Sequence, residues 1–273
     1  IAIDCANGAA SRTAELLFSE LGAECHMLAN QPNGVNVNDN CGSTHMENLM
    51  SFVKENHLDA GIAFDGDADR CLAVDDKGQL VDGDFVMAIC AADMKSRGKL
   101  AKNTVVGTIM TNMGFTRFCD ENGLHFEATK VGDRYVLEEM RDKGYVIGGE
   151  QSGHIILLAH STTGDGELTA GMLLRTMAEK KCRMSELNDV YARFPQVMVN
   201  IKATPEEKAR YKEDEYIAGF IESQQQSLMG LGRVLVRVSG TEPLIRIMVE
   251  GRDEAAIAAS AERIAVKINE RIH

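Results

Sequence analysis

Short apolar runs alternate with amphipathic periods along most of the chain, and that alternation predicts its elements. Residues 1–5 read as a strand, 12–21 as a helix, 23–29 as a strand and 46–56 as a helix. Strands at 60–65 and 71–75 and a helix over 85–97 complete a first block. The polar, basic segment SRGKLAKN (96–103), with Gly98 as a helix stop, marks a boundary. A second block follows, with a strand at 105–110, a helix at 114–122, a strand at 125–129 and a helix at 133–143. It ends with the strand pair YVIGG and HIILL around GEQSGH and a helix over 167–181. The last block reads as a strand at 196–203, one charged helix over 205–226, two strands at 232–238 and 244–250 joined at SGTEP, and a closing helix from 253. Pro205 suits a first helical turn and Thr204 its N-cap.

Strands alternating with helices of this length imply βαβ units. The expected class is therefore α/β: two consecutive α/β domains with mixed, mostly parallel sheets (1–98 and 99–190), plus a C-terminal α+β domain (191–273). The chain opens at IAIDCANGA, without an initiator Met and inside what reads as a strand, so it is expected to be a piece of a longer protein.

Charge narrows the partners. With 41 acidic against 29 basic residues, a net charge of −12 argues against a nucleic acid or an anionic membrane surface as the main partner and favours a small ligand. The seven cysteines are scattered and form no C-x-x-C pair, which predicts free thiols in a reducing cytoplasm. The longest nearly apolar run, 85–92, is too short to cross a bilayer.

Four stretches carry candidate chemistry. In DGDADR, the carboxylates Asp65, Asp67 and Asp69 alternate at the end of an apolar strand, where α/β sheets place their ligands, and can converge on one hard divalent ion. An EF-hand is disfavoured, because its sixth and twelfth positions hold Arg70 and Asp76. Magnesium suits few carboxylates with places left for phosphate oxygens, and Arg70 then faces the same phosphate; the competing reading is a solvated acidic turn offset by Arg70. In RVSGTEPLIR, the hydroxyls and N–H groups of Ser239, Gly240 and Thr241 with Arg237 fit a phosphate, and an ordinary hairpin turn fits equally well; Arg246 is the weaker member. In GGEQSGH, Glu150, Ser152 and His154 alternate and in an extended loop would face one polyhydroxylated ring, with a plain hairpin as the alternative. In TKVGDRYV, Lys130 is read as a ligand-binding cation and Asp133 as a helix cap, as is Asp165 for the next helix.

Taken together and in this order, DGDADR, GGEQSGH and RVSGTEPLIR resemble the metal, sugar and phosphate loops of the α-D-phosphohexomutase family, and the likeness runs from Asp4–Ala9 to the phosphate loop. KVGDRYV and GEQSGH are most similar to the bacterial branch that acts on an amino sugar; the neutral-sugar branch usually carries methionine where this chain has Gln151. The resemblance implies reversible transfer between the 6- and 1-phosphates of a hexose, through a phosphoserine in a first domain and a hexose bisphosphate intermediate. It implies Mg²⁺ on Asp65, Asp67 and Asp69 with the phosphoserine as further ligand, Arg70 on the transferring phosphoryl group, and Lys130 or His154 in proton transfer. Glu150 and Ser152 are implied to hold sugar hydroxyls, and Arg237, Ser239, Gly240 and Thr241 the distal phosphate. Partners so implied are a hexosamine phosphate substrate and the bisphosphate, with a homodimer as one candidate assembly. Alternatives are a neutral hexose phosphate as substrate and a non-catalytic sugar-phosphate binding module.

The family's Ser-His-Asn-Pro serine loop has no counterpart here. The chain is therefore expected to retain the second, third and fourth domains and to bind magnesium weakly, having lost one anionic ligand. Assayed alone with a hexosamine 6-phosphate and catalytic bisphosphate, it is expected to give no turnover above background.

Overall fold

A computed structural model describes the chain from Ile1 to His273, Met229 and Thr241 excepted. Two units, 1–192 and 193–273, each have their own core. In the first unit, strands β1 (Ala2–Asp4), β2 (His26–Leu28), β3 (Ala60–Phe64), β4 (Cys71–Asp75) and β5 (Leu80–Val81) form a sheet ordered β2-β1-β3-β4-β5. The β1–β2 and β1–β3 pairs are parallel, while β3–β4 and β4–β5 are antiparallel. Every residue of β1, β3 and β4 is buried, including Asp4 and Asp75 at the ends of β1 and β4, as befits mostly apolar strands covered on both faces. Helices α1 (Ala14–Glu20) and α2 (Glu47–Glu55) follow β1 and β2, and α2 lays Leu49 and Val53 over Ala2, Ala63 and Val74.

A second sheet, ordered β7-β6-β8-β9, contains β6 (Thr104–Thr108), β7 (His125–Thr129), β8 (Ile147–Gly149) and β9 (Ile155–Leu157). It too is mixed: β6 runs parallel to β7 and β8, and β8–β9 is an antiparallel hairpin. Between the sheets in sequence lies α3 (Gly83–Ser96), and α4 (Met113–Glu121), α5 (Asp133–Lys143), α6 (Gly166–Lys180) and α7 (Met184–Asn188) complete the unit. Eleven of the residues of α3 are buried, which explains the apolar run at 85–92, because a helix apolar on all sides belongs inside a core. One continuous cluster joins Ile62 and Phe64 of the first sheet to Ile147 and Ile155 of the second, through Met87 and Ile89 of α3 and Leu173 of α6. The short α7 was not predicted. It is held back onto the first sheet, where Asp76 accepts the Ser185 N–H at 2.8 Å and Asp75 accepts Asn188 Nδ2 at 3.0 Å.

The second unit has an antiparallel sheet, β10 (Gln196–Lys202), β11 (Gly232–Val238) and β12 (Leu244–Gly251), in the order β10-β12-β11. Ile245, Ile247 and Val249 of β12 pack against Ile257, Ile264 and Ile268 of the closing helix α10 (Glu254–Ile272). Thr204 caps α8 (Pro205–Glu213), as the sequence suggested, and the structure adds a reciprocal box with Glu207. The single helix expected over 205–226 is instead two. Asp214 adopts an extended conformation and caps the next helix, α9 (Glu215–Ser227), by accepting the Ile217 N–H at 3.0 Å, while Arg271 of α10 holds its other oxygen at 2.6 Å.

All seven cysteines are free thiols. Among the described residues no helix is long and apolar enough to cross a membrane.

The α3–α6 contact depends on one buried charge. Asp93, 3% exposed, accepts Arg97 Nε and Arg175 Nη2, each at 2.8 Å. Burial alone pushes its carboxyl up, but the two guanidiniums hold it below the ordinary value. Such a carboxyl stabilises the fold fully above its unfolded value, and the stabilisation fades as pH falls through its lower native value. Asp93→Ala is expected to cost about 2–3 kcal/mol near neutral pH, read by urea unfolding, and distinctly less in acid.

Candidate metal and sugar-phosphate site

Residues 65–70 form the turn between β3 and β4. Ala68 takes a left-handed conformation and its N–H closes on Asp65 O at 3.1 Å, so the three acidic side chains fan inward instead of alternating along an extended strand. One oxygen from each of Asp65, Asp67 and Asp69 lies within 4.8 Å of the others. Asp65 is buried, Asp69 half-buried and Asp67 exposed.

The only cation bonded to this trio among the described residues is Arg70, whose Nε lies 3.5 Å from Asp65 Oδ2 and 3.9 Å from Asp69 Oδ1. One charge facing three leaves the cluster under-neutralised. Burial first, then the neighbouring Asp69 and Asp67, push the Asp65 carboxyl up to about 6, although the Arg70 N–H and guanidinium pull the other way. Asp69 Oδ1 is buried without a hydrogen bond, while Oδ2 is engaged by His154. An all-oxygen donor set of this size fits a hard divalent cation.

Three separate segments grip the backbone of this turn, and one of them adds a side-chain contact. From the loop after β1, Ala9 N–H donates to Gly66 O at 2.9 Å, and Gly8 approaches so closely that a Cβ there would stand 2.3 Å from the same oxygen. From the loop before α6, Gly166 N–H donates to Ala68 O at 2.9 Å, and a Cβ on Gly166 would stand 2.4 Å from Arg70 O. From the β8–β9 hairpin, Gly153 O accepts the Cys71 N–H at 3.0 Å, and Arg70 and His154 form a β-bridge. The same hairpin adds the His154 side chain, whose Nδ1 lies 3.0 Å from Asp69 Oδ2. Gly8, Gly164 and Gly166 were missed as site residues, since nothing in the sequence distinguishes a glycine required by close approach from one in an ordinary loop.

The GGEQSGH stretch differs from the expected extended loop. Residues 150–153 make a tight turn, with Gly153 N–H on Glu150 O at 3.0 Å and Gly153 at φ +93. Glu150, Ser152 and His154 therefore do not face one way. Ser152 stands exposed at the tip, and Glu150 Oε1 accepts the Gly132 N–H at 3.0 Å, which ties this hairpin to the Lys130 loop. His154 is buried, and the Gly164 N–H donates to its Nε2 at 3.1 Å. That nitrogen carries a lone pair, so the ring proton sits on Nδ1 and is donated to Asp69. Gln151 points away from the turn's tip, donating to Asp82, the N-cap of α3, at 3.2 Å.

Lys130 is exposed, its Nζ 5.8 Å from the centre of the Tyr135 ring. The two aspartates read as caps diverge. Asp165 caps α6 through the Leu168 N–H at 2.9 Å. Asp133 does not cap α5: the capping position belongs to Gly132, and Asp133 is the first helical residue, 60% exposed and 3.8 Å from His154 Nε2.

The candidate phosphate loop lies in the second unit, between β11 and β12. Strand register sets Arg237 directly opposite Arg246, which resolves the face of Arg246 that sequence alternation left open. Like charges placed opposite are unfavourable unless an anion intervenes. Arg246 pairs with Glu242 of the loop itself. Ser239 is buried and its Oγ accepts the Glu242 N–H at 3.1 Å; Gly240 is exposed, and Thr241 lies outside the described residues.

With this geometry in place, the chain matches three models of one family, phosphoglucomutase/phosphomannomutase: alpha/beta/alpha domain II over residues 1–78, alpha/beta/alpha domain III over 82–194, and the C-terminal domain over 198–267. Curated relatives named phosphoglucosamine mutase include those of Thermoanaerobacter sp. (strain X514), 52% identical, and Caldanaerobacter subterraneus subsp. tengcongensis, 54% identical; each match covers 100% of this chain and 61% of the relative. The chain thus spans about three fifths of their length. Among solved structures, Aspergillus fumigatus N-acetylphosphoglucosamine mutase, in complex with GlcNAc-6P and magnesium, superposes with a TM-score of 0.81 at 19% identity, covering 100% of this chain and 61% of that one. A phosphoglucomutase/phosphomannomutase family protein from Burkholderia thailandensis gives 0.81 at 23% identity, covering 98% and 60%. At these identities the likeness is one of fold.

The raised Asp65 carboxyl predicts a pH signature. A native value pushed up to about 6 means that the contribution of Asp65 to metal-free stability is greatest in acid and is lost as pH rises through about 6. Thermal melts are expected to show magnesium stabilising the chain at about pH 7.5 and barely at about pH 5, with both the pH loss and the magnesium gain abolished in Asp65→Asn.

Proposed function

The chain belongs to the phosphoglucomutase/phosphomannomutase family of α-D-phosphohexomutases, and from that premise we propose that it is the metal-, sugar- and phosphate-binding portion of a cytoplasmic phosphoglucosamine mutase. Its proposed blocks are 1–98 with the metal loop, 99–190 with the sugar loop and 191–273 with the phosphate loop. The reaction is the interconversion of glucosamine 6-phosphate and glucosamine 1-phosphate by way of a bisphosphate. The observation that carries this reading is identity of about half, over the whole chain, to proteins of that name, on a chain whose acidic turn is bonded to the hairpin proposed for the sugar.

In this proposal Asp65, Asp67 and Asp69 hold Mg²⁺, which when bound supplies positive charge to a phosphoryl group in transfer. Arg70 presents its guanidinium to the same phosphoryl group; both its ion pairs use Nε, and the side chain is 42% exposed. Between the two candidates for proton transfer, Lys130 takes the role. Both ring nitrogens of His154 are already committed, to Asp69 and to the Gly164 N–H, so His154 orients Asp69. Glu150 and Ser152 bind sugar hydroxyls, Glu150 keeping one oxygen for Gly132. Arg237, Ser239, Gly240 and Thr241 hold the phosphate that is not reacting. A turn of hydroxyls and N–H groups recognises phosphate without regard to which end of the sugar carries it, as two successive transfers in opposite orientations require. Positioning and charge neutralisation carry most of such a transfer.

The test uses the whole enzyme containing this chain. It is expected to turn over glucosamine 6-phosphate faster than the mannose and glucose phosphates. Lys130→Ala is expected to lower kcat about a hundredfold or more with little change in KM, while His154→Ala weakens magnesium dependence. Equal rates on neutral sugars would favour the phosphomannomutase/phosphoglucomutase alternative.

A further inference from the structure

Lys208 is the fourth residue of α8, its N–H on Thr204 O at 2.9 Å, and a cation in a first turn opposes the helix dipole. Its ammonium nevertheless reaches across to the β11–β12 loop, donating to Ser239 O at 2.9 Å and to Glu242 O at 2.5 Å. These carbonyls flank the tip of the loop, so one side chain spans it. All peptide bonds among the described residues are trans, and in a trans peptide the C=O and the following N–H point in opposite directions. Drawing Ser239 O toward Lys208 therefore turns the Gly240 N–H away from Lys208. Gly240 is exposed, with nothing within 4 Å of the place a side chain would take, so an anion can approach that N–H. An ammonium on the carbonyl also polarises the amide and strengthens its N–H as a donor.

We propose that Lys208 is a positioning residue for anion binding: by clamping the Ser239 and Glu242 carbonyls it orients and strengthens the Gly240 N–H as a phosphate donor. The inference rests on the reading of this loop as the phosphate site. Its origin in α8 explains why the loop motif alone does not reveal it. The capping box at Thr204 and Glu207, together with Glu206, places negative charge in the same first turn and offsets the dipole cost of the lysine.

The experiment titrates the 273-residue chain with inorganic phosphate while following the Gly240 amide by ¹⁵N–¹H NMR. The wild type is expected to show a saturable shift at Gly240. Lys208→Met is expected to move the phosphate-free Gly240 resonance and to weaken phosphate binding about tenfold, with Lys208→Arg recovering most of the loss. Should Lys208→Met fail to fold, Lys208→Gln carries the same two readouts. A Lys208→Met chain that loses thermal stability but binds phosphate as the wild type does would reduce Lys208 to a staple and overturn the proposal, leaving the phosphate reading intact. A folded wild type with no phosphate-dependent shift at Gly240 would overturn the reading itself and this inference with it.

Discussion

Three carboxylates with oxygens inside 4.8 Å of one another repel, and the first unit is organised around holding them there. Arg70 is the one cation bonded to the trio among the described residues, and it is not enough to keep the Asp65 carboxyl at its ordinary value. The turn survives because its backbone is bonded from outside, through Gly66 O, Ala68 O and the Cys71 N–H, by segments that arrive from three different parts of the chain. Repulsion then cannot relax by opening the turn, and the three carboxylates stay in a geometry that could hold a divalent cation.

That arrangement explains what was legible in advance. The buried strands β1, β3, β4 and β6 stand out as apolar runs, because a strand covered on both faces has no polar alternation to blur it. The acidic turn was legible from residue type and position. What was not legible depends on contacts between distant segments: the short α7, held by Asp75 and Asp76, has too few residues to show a period, and Gly8, Gly164 and Gly166 look like loop glycines until a carbonyl or ring is placed against them. The 205–226 region reads as one helix because its polar period runs on through Asp214; only the bonds from the Ile217 N–H and Arg271 make a break preferable there. The geometry of GGEQSGH was not legible either, since strand alternation suggests an extended loop where Gly153 permits a turn.

The turn changes what His154 can do. An extended loop would have presented its ring to ligand alongside Glu150 and Ser152. The observed turn buries it between Asp69 and the Gly164 N–H, with the β-bridge from Arg70 fixing the backbone behind it. A carboxylate that shares its proton-donating partner in this way has one oxygen fixed and one left over, and Asp69 Oδ1 is that remaining oxygen.

The second unit solves the converse problem with the converse charges. Arg237 and Arg246 are brought face to face by strand register, and the loop between their strands contributes Glu242 as a partner for one of them. Glu242 is thereby used twice, its carboxylate on Arg246 and its backbone carbonyl on Lys208, while its N–H reaches Ser239 Oγ. Both backbone and side chain of this single residue thus tie the loop to α8 and β12. The crowded acids of the first unit and the opposed arginines of the second follow one rule: like charges are brought together by hydrogen-bonded backbone.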